Sequence, residues 1–151
     1  MKKEKSINYF STDFEDEFLA DYKFDITQIN KPKETFDLII CYHVLEHIVD
    51  DKKAMSELYR VLKPKGEIYI QTPFKEGHIY EDYTITSPID REKHFGQNDH
   101  VRIYSVDGLI NRLKETGFKT GTTNFKQEDR DIFNGFKSPE TVIILTKIQQ
   151  S

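Results

Sequence analysis

Two hydrophobic periods alternate along the chain. Phe36 to Cys41 is continuously apolar apart from Asp37, the pattern of a strand covered on both faces. Asp50 and Asp51 then offer N-caps, and Ala54, Met55, Leu58, Val61 and Leu62 recur three and four apart. That spacing predicts a helix over Lys52 to Lys63, with Lys53 and Glu57 able to pair on its outer face. Pro64 and Gly66 stop the helix, and Glu67 to Thr72 returns as a strand with Ile68 and Ile70 on one face. Later, Ser105 caps a second stripe of Val106, Leu109, Ile110 and Leu113, which Gly117 ends. Lys119 to Lys126 and Glu140 to Lys147 are the last strands. Ile7 to Thr12 and Lys23 to Thr27 are short extended pieces around an acidic run, Glu15 to Asp21.

The order is three strands, helix, strand, insertion, helix and two strands. Such alternation predicts a mostly parallel α/β sheet with helices on its faces. Phe36 to Cys41 should pair in parallel with Glu67 to Thr72, because a right-handed crossover through the intervening helix sets them side by side. The last two strands, with no helix between them, should be antiparallel. Phe74 to Tyr104 shows no period, and a connection that long is expected to carry function. Gln127 to Pro139 reads as a polar loop with Phe133 and Phe136.

Composition narrows the class. A chain of 151 residues suits a single domain, 1–151, and 11 Phe with 8 Tyr give a core despite a charged fraction of 32%. The net charge of −4 argues against broad nucleic-acid or membrane binding. The longest apolar runs are too short to span a bilayer, and the lysine-rich start has no apolar stretch behind it. The single cysteine fits a reducing, cytoplasmic setting.

Four segments taken in order carry a family resemblance. These are Asn8-Tyr-Phe-Ser-Thr-Asp13, Lys23-Phe-Asp-Ile-Thr27, Phe36-Asp-Leu-Ile-Ile-Cys-Tyr-His43 and Val61-Leu-Lys-Pro-Lys-Gly-Glu-Ile-Tyr-Ile70. Together they resemble the middle of a class I S-adenosylmethionine (SAM)-dependent methyltransferase. The resemblance implies a Rossmann-like sandwich, SAM as cofactor and a small-molecule acceptor. It implies that Asp13 accepts hydrogen bonds from the ribose hydroxyls. Asp25 would take the adenine amine with Ile26 packed on the ring, and Tyr42 and His43 would line the transfer edge. Lys93-His-Phe-Gly-Gln-Asn-Asp-His-Val-Arg-Ile-Tyr104 resembles a segment of a bacterial subgroup of these proteins.

One family feature has no counterpart. The glycine loop that cradles the methionine end of SAM needs glycines two apart, and none of the seven glycines here is so placed. The first β-α unit is therefore expected to be absent. The chain is either a piece of a longer enzyme or a short protein that has lost, or borrows, its cofactor site. In the family that first strand lies between the second and the fourth. Ile7 to Thr12 should then close up directly on Phe36 to Cys41, or a second copy should fill the gap in a homodimer.

Two further constellations carry chemistry. His94, Asp99, His100 and Arg102 are acceptor-side candidates: with His43, the imidazoles His94 and His100 could take a proton, and Asp99 and Arg102 could hold substrate. His43-Val-Leu-Glu-His47 matches H-x-x-E-H, which on a helix would hold zinc for a metalloprotease, but no third ligand stands out and no metal is assigned. Cys41 reads as a small buried hydrophobe. Methyl transfer demands positioning more than covalent chemistry, so the leading reading is a SAM-dependent methyltransferase. The alternative is a non-catalytic remnant used for interaction or assembly.

Overall fold

The structure, a computed structural model, describes residues 8–13, 20–125 and 140–147. Its centre is a four-stranded sheet of β3 (Phe36–Tyr42), β4 (Leu62–Gln71), β7 (Phe118–Phe125) and β8 (Glu140–Lys147), in the order β3-β4-β8-β7. β3 and β4 are parallel, with Ile39 opposite Ile68 and Cys41 opposite Ile70. β8 runs antiparallel to both β4 and β7. These pairings are the ones the sequence pattern predicts. Two short strands, β1 (Thr12–Asp13) and β2 (Tyr22–Lys23), form a separate parallel pair.

Helix α1 (Asp51–Val61) begins where Asp50 accepts a hydrogen bond from the Lys53 amide at 3.1 Å. Its apolar stripe, Ala54, Met55, Leu58 and Val61, is fully buried. Helix α3 (Val106–Glu115) is capped by the Ser105 hydroxyl, which accepts from the Gly108 amide, and adds Leu109 and Leu113. These side chains form one core with Ile68, Ile70, Ile143 and Leu145 of the sheet. On α1, Glu57 does not pair with Lys53 as the four-residue spacing suggested. It binds Arg60 Nε at 2.7 Å and the Ile29 amide at 2.9 Å, which ties the 29–31 segment to the helix.

Three expectations need correction. β3 is covered on one face only: Cys41 is buried, while Leu38, Ile40 and Tyr42 are 50%, 62% and 44% exposed. The run is apolar apart from Asp37, but the described residues place helices on only one side of it. Second, direct closure of Ile7 to Thr12 onto β3 does not occur among the described residues, because Thr12 and Asp13 pair with Tyr22 and Lys23 instead. Ile7 lies outside the described residues, as do Lys126, the loop from Gln127 to Pro139, and Glu15 to Leu19 of the acidic run. Third, the 74–104 segment is structured. It holds helix α2 (Pro88–Phe95) and an antiparallel pair, β5 (Tyr80–Glu81) with β6 (Arg102–Ile103). Phe95 is the only buried residue of α2 and Ile89 is 79% exposed, so no apolar stripe marks this helix in the sequence.

Candidate functional site at the end of β3

Beyond Tyr42 the chain turns sharply. His43 adopts φ +53°, an uncommon left-handed conformation for a residue with a side chain, while its amide still bonds the Gln71 carbonyl at 2.9 Å. A short 3-10 turn, Leu45–His47, follows. This places Glu46 and His47 just past the carboxyl end of a parallel strand, where open α/β sheets bind ligands.

The 3-10 turn is held from the far side by β6 and its approach. The Val101 amide donates to the Glu46 carbonyl at 2.9 Å. Arg102 is fully buried and donates Nε to Glu81 at 3.0 Å, Nη1 to the carbonyls of Leu45 (3.2 Å) and Ile48, and Nη2 to the Val49 carbonyl at 2.8 Å. Every guanidinium nitrogen is thus engaged. Arg102 is a brace for the 45–49 turn and not the open anion binder that its place beside His100 suggested.

A second layer supports that brace. Asp51, buried at the start of α1, accepts from the Tyr104 hydroxyl at 2.5 Å and from Arg112 at 2.6 Å. Arg112 also holds Glu81 at 2.8 Å. The two arginines, through hydrogen bonds first from Arg112, hold the Glu81 carboxyl down to about 2. Burial raises the Tyr104 hydroxyl well above its ordinary range. Local sequence marks none of Asp51, Glu81 and Arg112 as a site residue; Asp51 reads there only as a helix cap. They meet only through tertiary packing.

The histidines separate into groups. His47 Nδ1 faces Asp99 Oδ2 at 3.1 Å, and its ring meets the His100 ring edge-on with centroids 4.6 Å apart. His100 is buried, with Nδ1 3.3 Å from the Phe95 carbonyl. His43 is largely exposed, its Nδ1 3.3 Å from Glu46 Oε1. Asp99 and His100 are therefore brought to the end of β3, but His94 pairs with the Tyr80 hydroxyl at 2.8 Å. Among the described residues no hydrogen bond or ion pair joins His94 to the cluster. His43 and His47 do not share a helix face, because a 3-10 turn and a left-handed residue replace the helix that H-x-x-E-H would need.

At the expected adenosine end, Asp25 Oδ1 accepts from the Thr27 amide at 2.8 Å and the Thr27 hydroxyl at 2.7 Å. Those bonds, the hydroxyl's first, lower its carboxyl below the usual range. Ile26 is half-buried against the core. The Asp13 side chain lies outside the described residues. Cys41 is buried, and desolvation pushes its thiol up to about 12, as a core residue requires.

Comparison with known proteins shows the family. The chain matches 28% of positions over 94 residues with the mitochondrial arginine-hydroxylase NDUFAF5 of Rattus norvegicus, covering 62% of this chain and 27% of that protein. It spans less than a third of the curated relatives it matches, 31% and 27% of two of them. In structure it resembles the methyltransferase bound by the Trm112 activator in Haloferax volcanii, with a TM-score of 0.62, 11% identity, and 85% and 62% of the two chains covered. An S-adenosylmethionine-dependent methyltransferase from Mesorhizobium loti gives a TM-score of 0.59 at 16% identity, covering 83% and 68%. At such identities the structural likenesses establish the fold. The methyltransferase-domain family model matches residues 4–122, most of the chain. The chain belongs to the class I SAM-dependent methyltransferase family.

Proposed function

We propose that this chain acts in SAM-dependent methyl transfer to a small-molecule acceptor, and that the end of β3 is its acceptor side. The observation that carries this is the meeting of His43, Glu46 and His47 with Asp99 and His100 at the carboxyl edge of a parallel strand. SAM supplies an already activated methyl group when bound. The protein must then position the acceptor and take a proton where the acceptor carries one, work suited to imidazoles. His43 is the exposed imidazole of the group and the candidate base.

The fit to SAM is partial. Asp25 keeps Oδ2 free of hydrogen bonds among the described residues, and Ile26 offers an apolar contact, so the adenosine end has candidates. Within residues 1–151 no two glycines stand two apart, so nothing matches the loop that would cradle the methionine end. SAM is therefore expected to bind this chain alone weakly.

A second reading has its own observation. Leu38, Ile40 and Tyr42 leave an apolar stripe open on one face of β3, which favours an interaction or assembly role. Incubating the protein with millimolar isotope-labelled SAM and a panel of small hydroxyl and amine acceptors separates the two. Acceptor-dependent label transfer that falls about 100-fold or more in His43→Ala supports the methyltransferase reading. No transfer to any acceptor, from a protein that is folded and self-associated, supports assembly. Tight stoichiometric SAM binding by calorimetry would overturn the account of the cofactor end.

A further inference from the structure

Glu46 is the one carboxylate among the described residues with both side-chain oxygens buried and without a hydrogen-bond partner. It is 1% exposed. The nearest cation source, His43 Nδ1, lies 3.3 Å from Oε1 without hydrogen-bond geometry. A buried carboxylate is strongly disfavoured unless a charge or donors face it. Two imidazoles do approach it. One donor atom from each of Glu46, His47 and His100 lies within 4.8 Å of the other two.

The orientation of both rings adds an independent argument. His100 holds Nδ1 in hydrogen-bond geometry 3.3 Å from the Phe95 carbonyl, and His47 Nδ1 lies 3.1 Å from the Asp99 carboxylate as an ion-pair contact. Both partners are acceptors, so each favours the proton on Nδ1 and leaves Nε2 with a lone pair. An imidazole whose other nitrogen is held by a carboxylate or a carbonyl is the usual arrangement of a metal-ligating histidine. Asp99 and Phe95 thus stand where orienting partners of ligands would stand.

We propose that Glu46, His47 and His100 form a binding site for a divalent transition-metal ion, zinc in the first instance. Two imidazole nitrogens and one carboxylate oxygen suit Zn²⁺ better than the all-oxygen shells of Mg²⁺ or Ca²⁺. Ligands at zinc stand about 3.3 Å apart in a tetrahedron, so donors within 4.8 Å of one another need to close by up to about 1.5 Å. Side-chain rotation at the half-buried His47 can supply that. Three protein donors leave a position open to water or to a substrate oxygen, at the same strand end that the methyl-transfer reading assigns to the acceptor. Metal binding itself does not depend on that reading. The set differs from the one H-x-x-E-H suggests: Glu46 becomes a ligand, and His100, 53 residues beyond His47, replaces His43.

The test uses tag-free protein without SAM or acceptor. Titration with Co²⁺ should give one equivalent of d–d absorption typical of low coordination, displaced by Zn²⁺ and abolished by a chelator. His100→Ala and Glu46→Gln should remove it. Asp99→Asn changes only an exposed side chain and cannot unfold the core, and it should weaken affinity about 10-fold or more. His78→Ala and His94→Ala, both at exposed positions, should leave binding unchanged. Binding that is absent or sub-stoichiometric in the wild type overturns the proposal. So does binding lost with His78 or His94, or indifferent to Asp99→Asn.

Discussion

Replacing Arg102 by Leu should destabilise the protein by roughly 1–3 kcal/mol, the cost of a buried acceptor left without a donor. The substitution keeps apolar volume but removes every donor. The Ile48 carbonyl loses its partner inside the protein, at about 1–3 kcal/mol for a buried acceptor left unpaired, whereas the Leu45 carbonyl keeps the Ile48 amide at 3.3 Å and the Tyr104 hydroxyl at 3.4 Å. Val49 is 58% exposed, so its carbonyl can turn to water at little cost. Glu81 keeps Arg112 and is not orphaned. A domain of this size has a net stability of about 5–15 kcal/mol, so the variant should stay folded with a readily measured loss. Urea unfolding followed by circular dichroism gives the difference from the midpoint shift at constant slope. Arg102→Lys restores the charge but not the fork, and should fall between the two. A loss below about 1 kcal/mol for Arg102→Leu would refute the brace and return Arg102 to the list of substrate-binding candidates.

Other outcomes follow from single groups. The Glu81 carboxyl is held at about 2 against an ordinary 4.5, so its contribution is complete above about 4.5 and is lost as pH falls toward 2; urea midpoints should decline across that window, and less so in Glu81→Gln. Cys41 should resist thiol reagents in the native state at pH 8 and react once urea exposes it; rapid native labelling would contradict its burial. Gly66→Ala should lower the melting temperature, because a Cβ there would lie 2.9 Å from the Lys63 carbonyl and 3.0 Å from the Asp37 carbonyl, backbone atoms that cannot swing aside.

The pattern of the chain determined the frame. A continuous apolar run located β3, apolar strand and period-3.6 patterns located β4, β8, α1 and α3, and the crossover rule paired β3 with β4, because burial on a sheet or helix face is written directly into local spacing. Asp50 and Ser105 were legible as caps for the same local reason. The family was legible too, since it rests on motifs in order. Helix α2 was hidden because it buries almost nothing and so leaves no stripe. The open face of β3 was hidden because an apolar run states that a strand can be covered, not that it is. At the site, sequence singled out His43, Asp99, His100 and Arg102 but not how they divide. Tertiary structure withdrew Arg102 into a brace, left His94 with Tyr80, and set His100 beside Glu46 and His47. That meeting joins residues more than fifty positions apart. No local period encodes such a contact; it exists only once β6 and the 3-10 turn are packed against each other.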